Sequence, residues 1–143
     1  MNVIERFCDI YADICQISPD ELNAIYAKDI VFIDPITTHR GLEDVKTYFA
    51  RLLDKAESCR FSISDVFECH GPNTNVTHVA NWTMTLVLLK SNKVIYLDGT
   101  TQLSVKDNII VYHKDYYDLG EMVYEHIPVL GFLIRTIKRK LAS

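Results

Sequence analysis

Two acidic positions and one histidine are placed where they could do chemistry. His113 and Asp115 lie in the run Ile-Ile-Val-Tyr-His-Lys-Asp-Tyr-Tyr-Asp-Leu-Gly, residues 109–120. That run is rich in β-branched and aromatic residues and reads as a strand. Side chains alternate across a strand, so Val111, His113, Asp115 and Tyr117 share one face, and Ile110, Tyr112, Lys114 and Tyr116 share the other. A core-facing strand carries His and Asp two residues apart only if they are paired, wet or useful. Asp34 ends a second apolar run, Ile30-Val31-Phe32-Ile33, and Phe32 points to its face. Carboxyl groups gathered in one apolar pocket can divide the work of proton donor and acceptor, which acid/base catalysis needs. The plainer alternatives are a structural His113–Asp115 contact or an edge strand, and an Asp34-Pro35 turn in which Asp34 bonds its own backbone.

Other chemistries find no residues. There is no Gly-rich phosphate loop, Ser-His-Asp order or zinc motif. Cys8, Cys15, Cys59 and Cys69 form no C-x-x-C pair and have no His at a metal-ligand spacing. They read as small core residues in a reducing compartment rather than as a disulfide or metal site. No cofactor is expected. His70, His78 and His126 stand without a constellation, while His39 and Arg40 lie in a loop that would cover a pocket mouth or merely be solvated. A net charge of −4 argues against a nucleic-acid binder. The N-terminus carries acids where a signal peptide needs an apolar run. The apolar run Ile127–Ile134 contains Pro128 and is far too short to span a membrane. A soluble, cytoplasmic protein is expected, with a membrane the disfavoured partner.

The elements that must position these residues follow from periodicity. A chain of 143 residues, 48% hydrophobic and 24% charged, holds one domain, 1–143. Helical spacing predicts helices near 2–16, 19–27 and 42–57, the second opened by Ser18-Pro19-Asp20-Glu21. A strand over 30–34 is stopped by Pro35. From residue 60 the period changes to two, which predicts strands near 60–69, 75–90, 93–105 and 109–118 joined by turns at 71–73, 91–92 and 106–108. The tail is helical in two pieces broken at Pro128, and Leu130, Ile134 and Ile137 form a stripe suited to closing the open end of the fold. The fold class is α+β, with helices on one face of a curved antiparallel sheet and a concave pocket between them.

The order of elements, the segment Tyr26-Ala27-Lys28-Asp29-Ile30-Val31-Phe32-Ile33-Asp34-Pro35 with Gly41 after it, and the ending Asp115-Tyr116-Tyr117-Asp118 resemble the nuclear transport factor 2-like, or SnoaL-like, superfamily. The resemblance implies a cone-shaped sheet wrapped around N-terminal helices, a deep apolar pocket and a sheet-to-sheet homodimer. Two enzyme families in it are similar at the site. Against limonene-epoxide hydrolases, Asp115 matches one carboxylate of an Asp-Arg-Asp triad and Asp34 matches the water-holding Asn. Trp82 and Met84 stand where the Arg and second Asp would be. Against ketosteroid isomerases, Asp34 matches the general base and Tyr11 lies near the oxyanion-hole Tyr. Gly99, Thr100 and Thr101 occupy the neighbourhood of the second donor.

The expected site therefore joins Asp34, Asp115, His113 and Tyr11 as the polar groups, with Phe32, Trp82, Met84, Leu97 and Tyr117 lining the pocket. The expected function is to act on, or bind, a small lipophilic molecule by carboxylate acid/base chemistry of an isomerase-like or hydrolase-like kind. The alternative is a non-catalytic binding or dimerisation module of the same fold.

Overall fold

The computed structural model describes residues 1–122 and 128–143. Helix α1 (Val3–Tyr11) is opened by a capping box in which Asn2 Oδ1 accepts from the Glu5 backbone and Glu5 reaches back to Asn2 N. It buries Val3, Phe7, Ile10 and Tyr11. Two 3-10 turns follow, Ile14–Gln16 and Pro19–Ala24. Strands β1 (Tyr26–Ile33) and β2 (Thr38–Arg40), helix α2 (Leu42–Leu53) and the long strands β3 (Ala56–Glu68), β4 (His78–Leu88), β5 (Val94–Lys106) and β6 (Ile109–Tyr117) come next. Helices α3 (Leu119–Met122) and α4 (Pro128–Ala142) end the chain. The strands form one curved sheet in the order β2-β1-β6-β5-β4-β3, and α1 and α2 contribute their buried faces to the core.

The α+β class and the strand-rich second half stand as expected, and the differences are local. The segment 19–27 is a 3-10 turn rather than a helix, and β1 begins at Tyr26. The sheet takes the chain there: Ile110 N donates to Ile25 O at 2.8 Å, so the backbone is already paired. The loop expected at 37–41 contains β2, antiparallel to β1. Helix α2 stops at Leu53 rather than 57, because Ala56 enters the β3 ladder opposite Leu88. Strand β1 pairs parallel to β6, while the other ladders are antiparallel. The β5–β6 turn carries Asp107 at φ 53° and Asn108 at φ 58°, as a two-residue type I′ hairpin requires.

One bulge changes a face assignment. Ser104 pairs Tyr112 but Val105 pairs Ile110, so β6 carries an extra residue at 111. Alternation therefore breaks, and Ile110 is fully buried in the core rather than sharing the outer face of Tyr112 and Tyr116. A close approach on β5 is just as specific. A Cβ built on Gly99 would lie 2.2 Å from the Trp82 ring, so only glycine leaves room for the indole. Gly99→Ala is expected to displace Trp82 and cost about 1–3 kcal/mol. Denaturant unfolding followed by Trp82 fluorescence checks it, since this is the one tryptophan of the chain.

The tail does not close the cone with its stripe. Helix α4 starts on Pro128, a favoured first position. It rests on the end of β6 through Lys138 Nζ, 2.9 Å from Asp118 Oδ2, with Ile134 beside Gly120. Leu130 and Ile137 are 38% and 56% exposed. The amphipathic period is right, yet the described chain offers no surface that covers this stripe. Of the piece expected between Gly120 and Pro128, α3 holds the start (Leu119–Met122), and 123–127 lie outside the described residues. No helix among the described residues is long and apolar enough to cross a membrane.

Candidate functional site

The concave face of the sheet and helix α2 enclose a cavity of about 60 Å³. Every strand of the long antiparallel section supplies wall. Phe61 comes from β3, Trp82, Met84 and Leu86 from β4, Leu97 from β5, and Asp115 and Tyr117 from β6. Phe32 and Asp34 come from β1 and the turn after it, and Tyr11, Tyr48 and Phe49 from the helices. The period of two explains the β4 contribution, since Trp82, Met84 and Leu86 are buried while Thr83 between them is exposed. The structure thus brings Asp34, Asp115, Tyr11, Phe32, Trp82, Met84, Leu97 and Tyr117 to one cavity.

His113 takes a different place. It is 1% exposed and lies behind Asp115 rather than on the cavity wall. Its ring stacks on Phe32 with centroids 4.2 Å apart. Its Nε2 is 2.7 Å from Asp115 Oδ1, and Nδ1 is 2.8 Å from the Tyr26 hydroxyl, which is 2.7 Å from the Tyr11 hydroxyl. One assignment satisfies the whole chain for a neutral ring: Tyr11 donates to Tyr26, Tyr26 to Nδ1, and Nε2–H to Asp115. A second series reaches the same oxygen. Trp82 Nε1 donates to Thr101 Oγ1 at 2.8 Å, and Thr101 donates to Asp115 Oδ1 at 2.6 Å. Both series end on Oδ1. No donor among the described residues reaches Oδ2.

Asp34 is held in another way. Its Oδ1 accepts from Ile36 N at 2.9 Å and Thr37 N at 3.0 Å, and its Oδ2 accepts from the Tyr48 hydroxyl at 2.9 Å. This is the Asp-Pro turn that the sequence left open, with Tyr48 added. Both oxygens are engaged. The plain alternative for His113, a contact with Asp115, is also present, but on an interior strand between β1 and β5 rather than an edge.

The phenols around the carboxylates resist ionisation. Burial pushes Tyr11 and Tyr26 well above the ordinary tyrosine value, and nearby Asp115 adds to it. Burial also raises Tyr48 and Tyr117, with the charges of Asp34 and Asp115 both contributing. A phenol raised in the folded state keeps its proton while the unfolded chain would lose it, so stability falls as pH rises past the unfolded value near 10. Alkaline titration is expected to show these four tyrosines ionising together with unfolding. Phenolate absorbance recorded beside far-ultraviolet circular dichroism checks this; phenolate appearing in the folded protein in proportion to all eight tyrosines would contradict it.

Three polar residues of the site escaped the sequence: Tyr26, Tyr48 and Thr101. Tyr26 and Tyr48 read as plain apolar positions of amphipathic segments, and their hydroxyls gave no periodic signal. Thr101 stood in the neighbourhood of a missing family donor, and that was its only trace. His39 stacks on Tyr48 at 4.5 Å and bonds Asp44, apart from the cavity wall. His70 lies 3.5 Å from Glu68 and His78 is 2.8 Å from the Thr77 hydroxyl. His126 lies outside the described residues. The four cysteines carry free thiols; burial pushes Cys59, on the cavity wall, up to about 12. No cluster able to hold a metal ion occurs among the described residues.

The fold recurs widely. A protein with a ketosteroid isomerase-like fold from Catenulispora acidiphila, crystallised with trimethylamine, is 16% identical over 83% of this chain and 87% of that one, at a TM-score of 0.70. An NTF2-like protein of unknown function from Exiguobacterium is 14% identical over 82% and 98%, at 0.69. An LEH-like epoxide hydrolase of M. tuberculosis is 17% identical over 94% and 93%, at 0.66. No curated protein matches in sequence. Identities this low carry the fold and leave chemistry to the site. The model of the SnoaL-like domain matches residues 4–113, which hold β1 through β5 and the His113 end of the relay, and the chain belongs to the SnoaL-like domain family.

Proposed function

We propose that the cavity binds a small lipophilic molecule and that Asp115 moves a proton on it, as an acid/base enzyme of isomerase-like or hydrolase-like kind. One observation carries this reading: Asp115 spends Oδ1 on His113 and Thr101 and keeps Oδ2 without a protein donor in an apolar, aromatic cavity. A carboxylate oxygen held in place with no protein donor of its own is suited to accept a proton from a ligand. His113 is the positioning residue, since it fixes the rotamer of Asp115 from behind. Tyr11 and Tyr26 act through His113 and extend the donor chain into the core. The trimethylamine of the Catenulispora relative supports a small molecule as the class of ligand.

Removal of a carbon-bound proton from 5-nitrobenzisoxazole tests this without knowledge of the natural substrate. The base takes the ring C–H proton, the N–O bond breaks and a cyanophenolate leaves. The wild-type protein is expected to accelerate that opening well beyond acetate at equal carboxylate concentration. A rate equal to acetate would reject a catalytic Asp115.

A second reading has its own support. Asp34 is occupied by its turn and by Tyr48, and Trp82 and Met84 stand where an epoxide-hydrolase triad would continue, so one carboxylate remains rather than a pair. That favours a binding module if the rate test fails. Free thiols and acidic charge fit a cytoplasmic setting under either reading.

The assembly we propose is a two-fold homodimer through the outer face of the sheet. Tyr96, Tyr116, Val94 and Phe67 are 66%, 43%, 41% and 52% exposed, more apolar surface than a monomer ordinarily leaves bare. Light scattering at micromolar concentration is expected to give twice the 16.5 kDa chain mass. A monomeric mass would remove the dimer.

A further inference from the structure

We infer that the cavity selects a small organic cation, a compact alkylammonium group, whose N–H donates to Asp115 Oδ2. This rests on the reading of the cavity as a ligand site and names the charge of what enters it. The charged groups of the wall are of one sign. Asp34 and Asp115 are carboxylates, and no Lys, Arg or His stands among the described lining residues. Three Lys or Arg residues lie on β3 to β6, Arg60, Lys106 and Lys114, and none is among the residues lining the cavity. Tyr48 and Tyr117 line the same cavity as the two carboxylates, and the Tyr48 hydroxyl donates to Asp34 Oδ2 at 2.9 Å.

The rest of the wall supports the same sign. Trp82, Phe61 and Tyr117 stand close together, with ring centroids 5.0 Å apart for Phe61–Trp82 and 6.4 Å for Trp82–Tyr117. Ring faces carry negative quadrupole density and attract a cation, indole most strongly. A neutral alkyl group would fill the space but would cover Oδ2 without replacing its water, leaving a desolvated acceptor. An ammonium group removes that penalty with a charge-assisted hydrogen bond.

The test compares two probes of one shape, tert-butylammonium chloride and tert-butyl alcohol, at pH 7 and constant ionic strength. Both can donate to Oδ2, so their difference isolates charge. Trp82 is the sole tryptophan and lies on the wall, so its fluorescence reports occupancy. The ammonium is expected to bind at least tenfold more tightly than the alcohol. Asp115→Asn keeps an oxygen for His113 and Thr101 and turns an NH₂ to the cavity, and is expected to bring the ratio to about one. Equal binding of the two probes by the wild-type protein would overturn the cation proposal and leave the ligand site standing. A ratio that survives Asp115→Asn would also overturn it, and no saturable response to either probe would remove both the proposal and the site.

Discussion

Asp115→Asn is expected to lower the rate of 5-nitrobenzisoxazole opening by about 10²–10⁴-fold, the usual contribution of a positioned general base. The substitution is close to isosteric. Its amide oxygen can still accept from His113 Nε2 and Thr101 Oγ1, so the donor chains stay in place. What is lost is the one oxygen available to a ligand. Asp34→Asn gives the contrast, with a rate within about tenfold of wild type, because Asp34 serves the turn through Ile36 N and Thr37 N. Parallel rate measurements on the two variants check this. Equal losses would mean that both carboxylates work as a pair, as the sequence had suggested.

His113→Phe carries the largest expected loss of stability. The ring has similar bulk and keeps the stack on Phe32. Two groups each lose one of two partners: the Tyr26 hydroxyl keeps Tyr11, and Asp115 Oδ1 keeps Thr101. Losing a hydrogen bond costs about 0.5–1.5 kcal/mol, and about 1.5–3 where one group is charged, so roughly 2–4 kcal/mol is expected in all. Tyr26→Phe leaves Nδ1 without its donor and the Tyr11 hydroxyl without its acceptor, and about 1–3 kcal/mol is expected on the same basis. Urea unfolding of the two variants orders them. A positioning role adds a readout that a merely structural role would not: His113→Phe should slow ring opening at temperatures where the protein remains folded, whereas Tyr26→Phe should slow it less. Destabilisation without loss of rate would make His113 a core residue and nothing more.

Particular residues show what the sequence could and could not tell. Alternation over 82–86 made Trp82, Met84 and Leu86 one face, and the same rule placed Asp115 and Tyr117 together, so most of the wall was legible. The bulge at 111 was not, because an extra residue in a ladder leaves no trace in a run of β-branched side chains, and Ile110 was assigned to the wrong face. The early end of α2 and the start of β1 at Tyr26 were set by ladder bonds from distant strands, Leu88 and Ile110, which local propensity does not see. The relay through Tyr26 and Thr101 depends on hydroxyls that residue type alone cannot tell from core or turn positions. The α4 stripe shows the opposite failure: its period was read correctly, but a period does not say which surface covers it.

The most direct test of the cavity as the working site is methyl-resolved NMR of the wild-type protein titrated with 5-nitrobenzisoxazole at low temperature and short mixing. Saturable shifts are expected at Met84, Leu86, Leu97 and Ile14, whose methyls line the cavity, and not at Ile36, Val94 or Leu141, which are exposed elsewhere. Shifts confined to the outer sheet face or to α4, or no saturable shift at the four cavity residues, would contradict it.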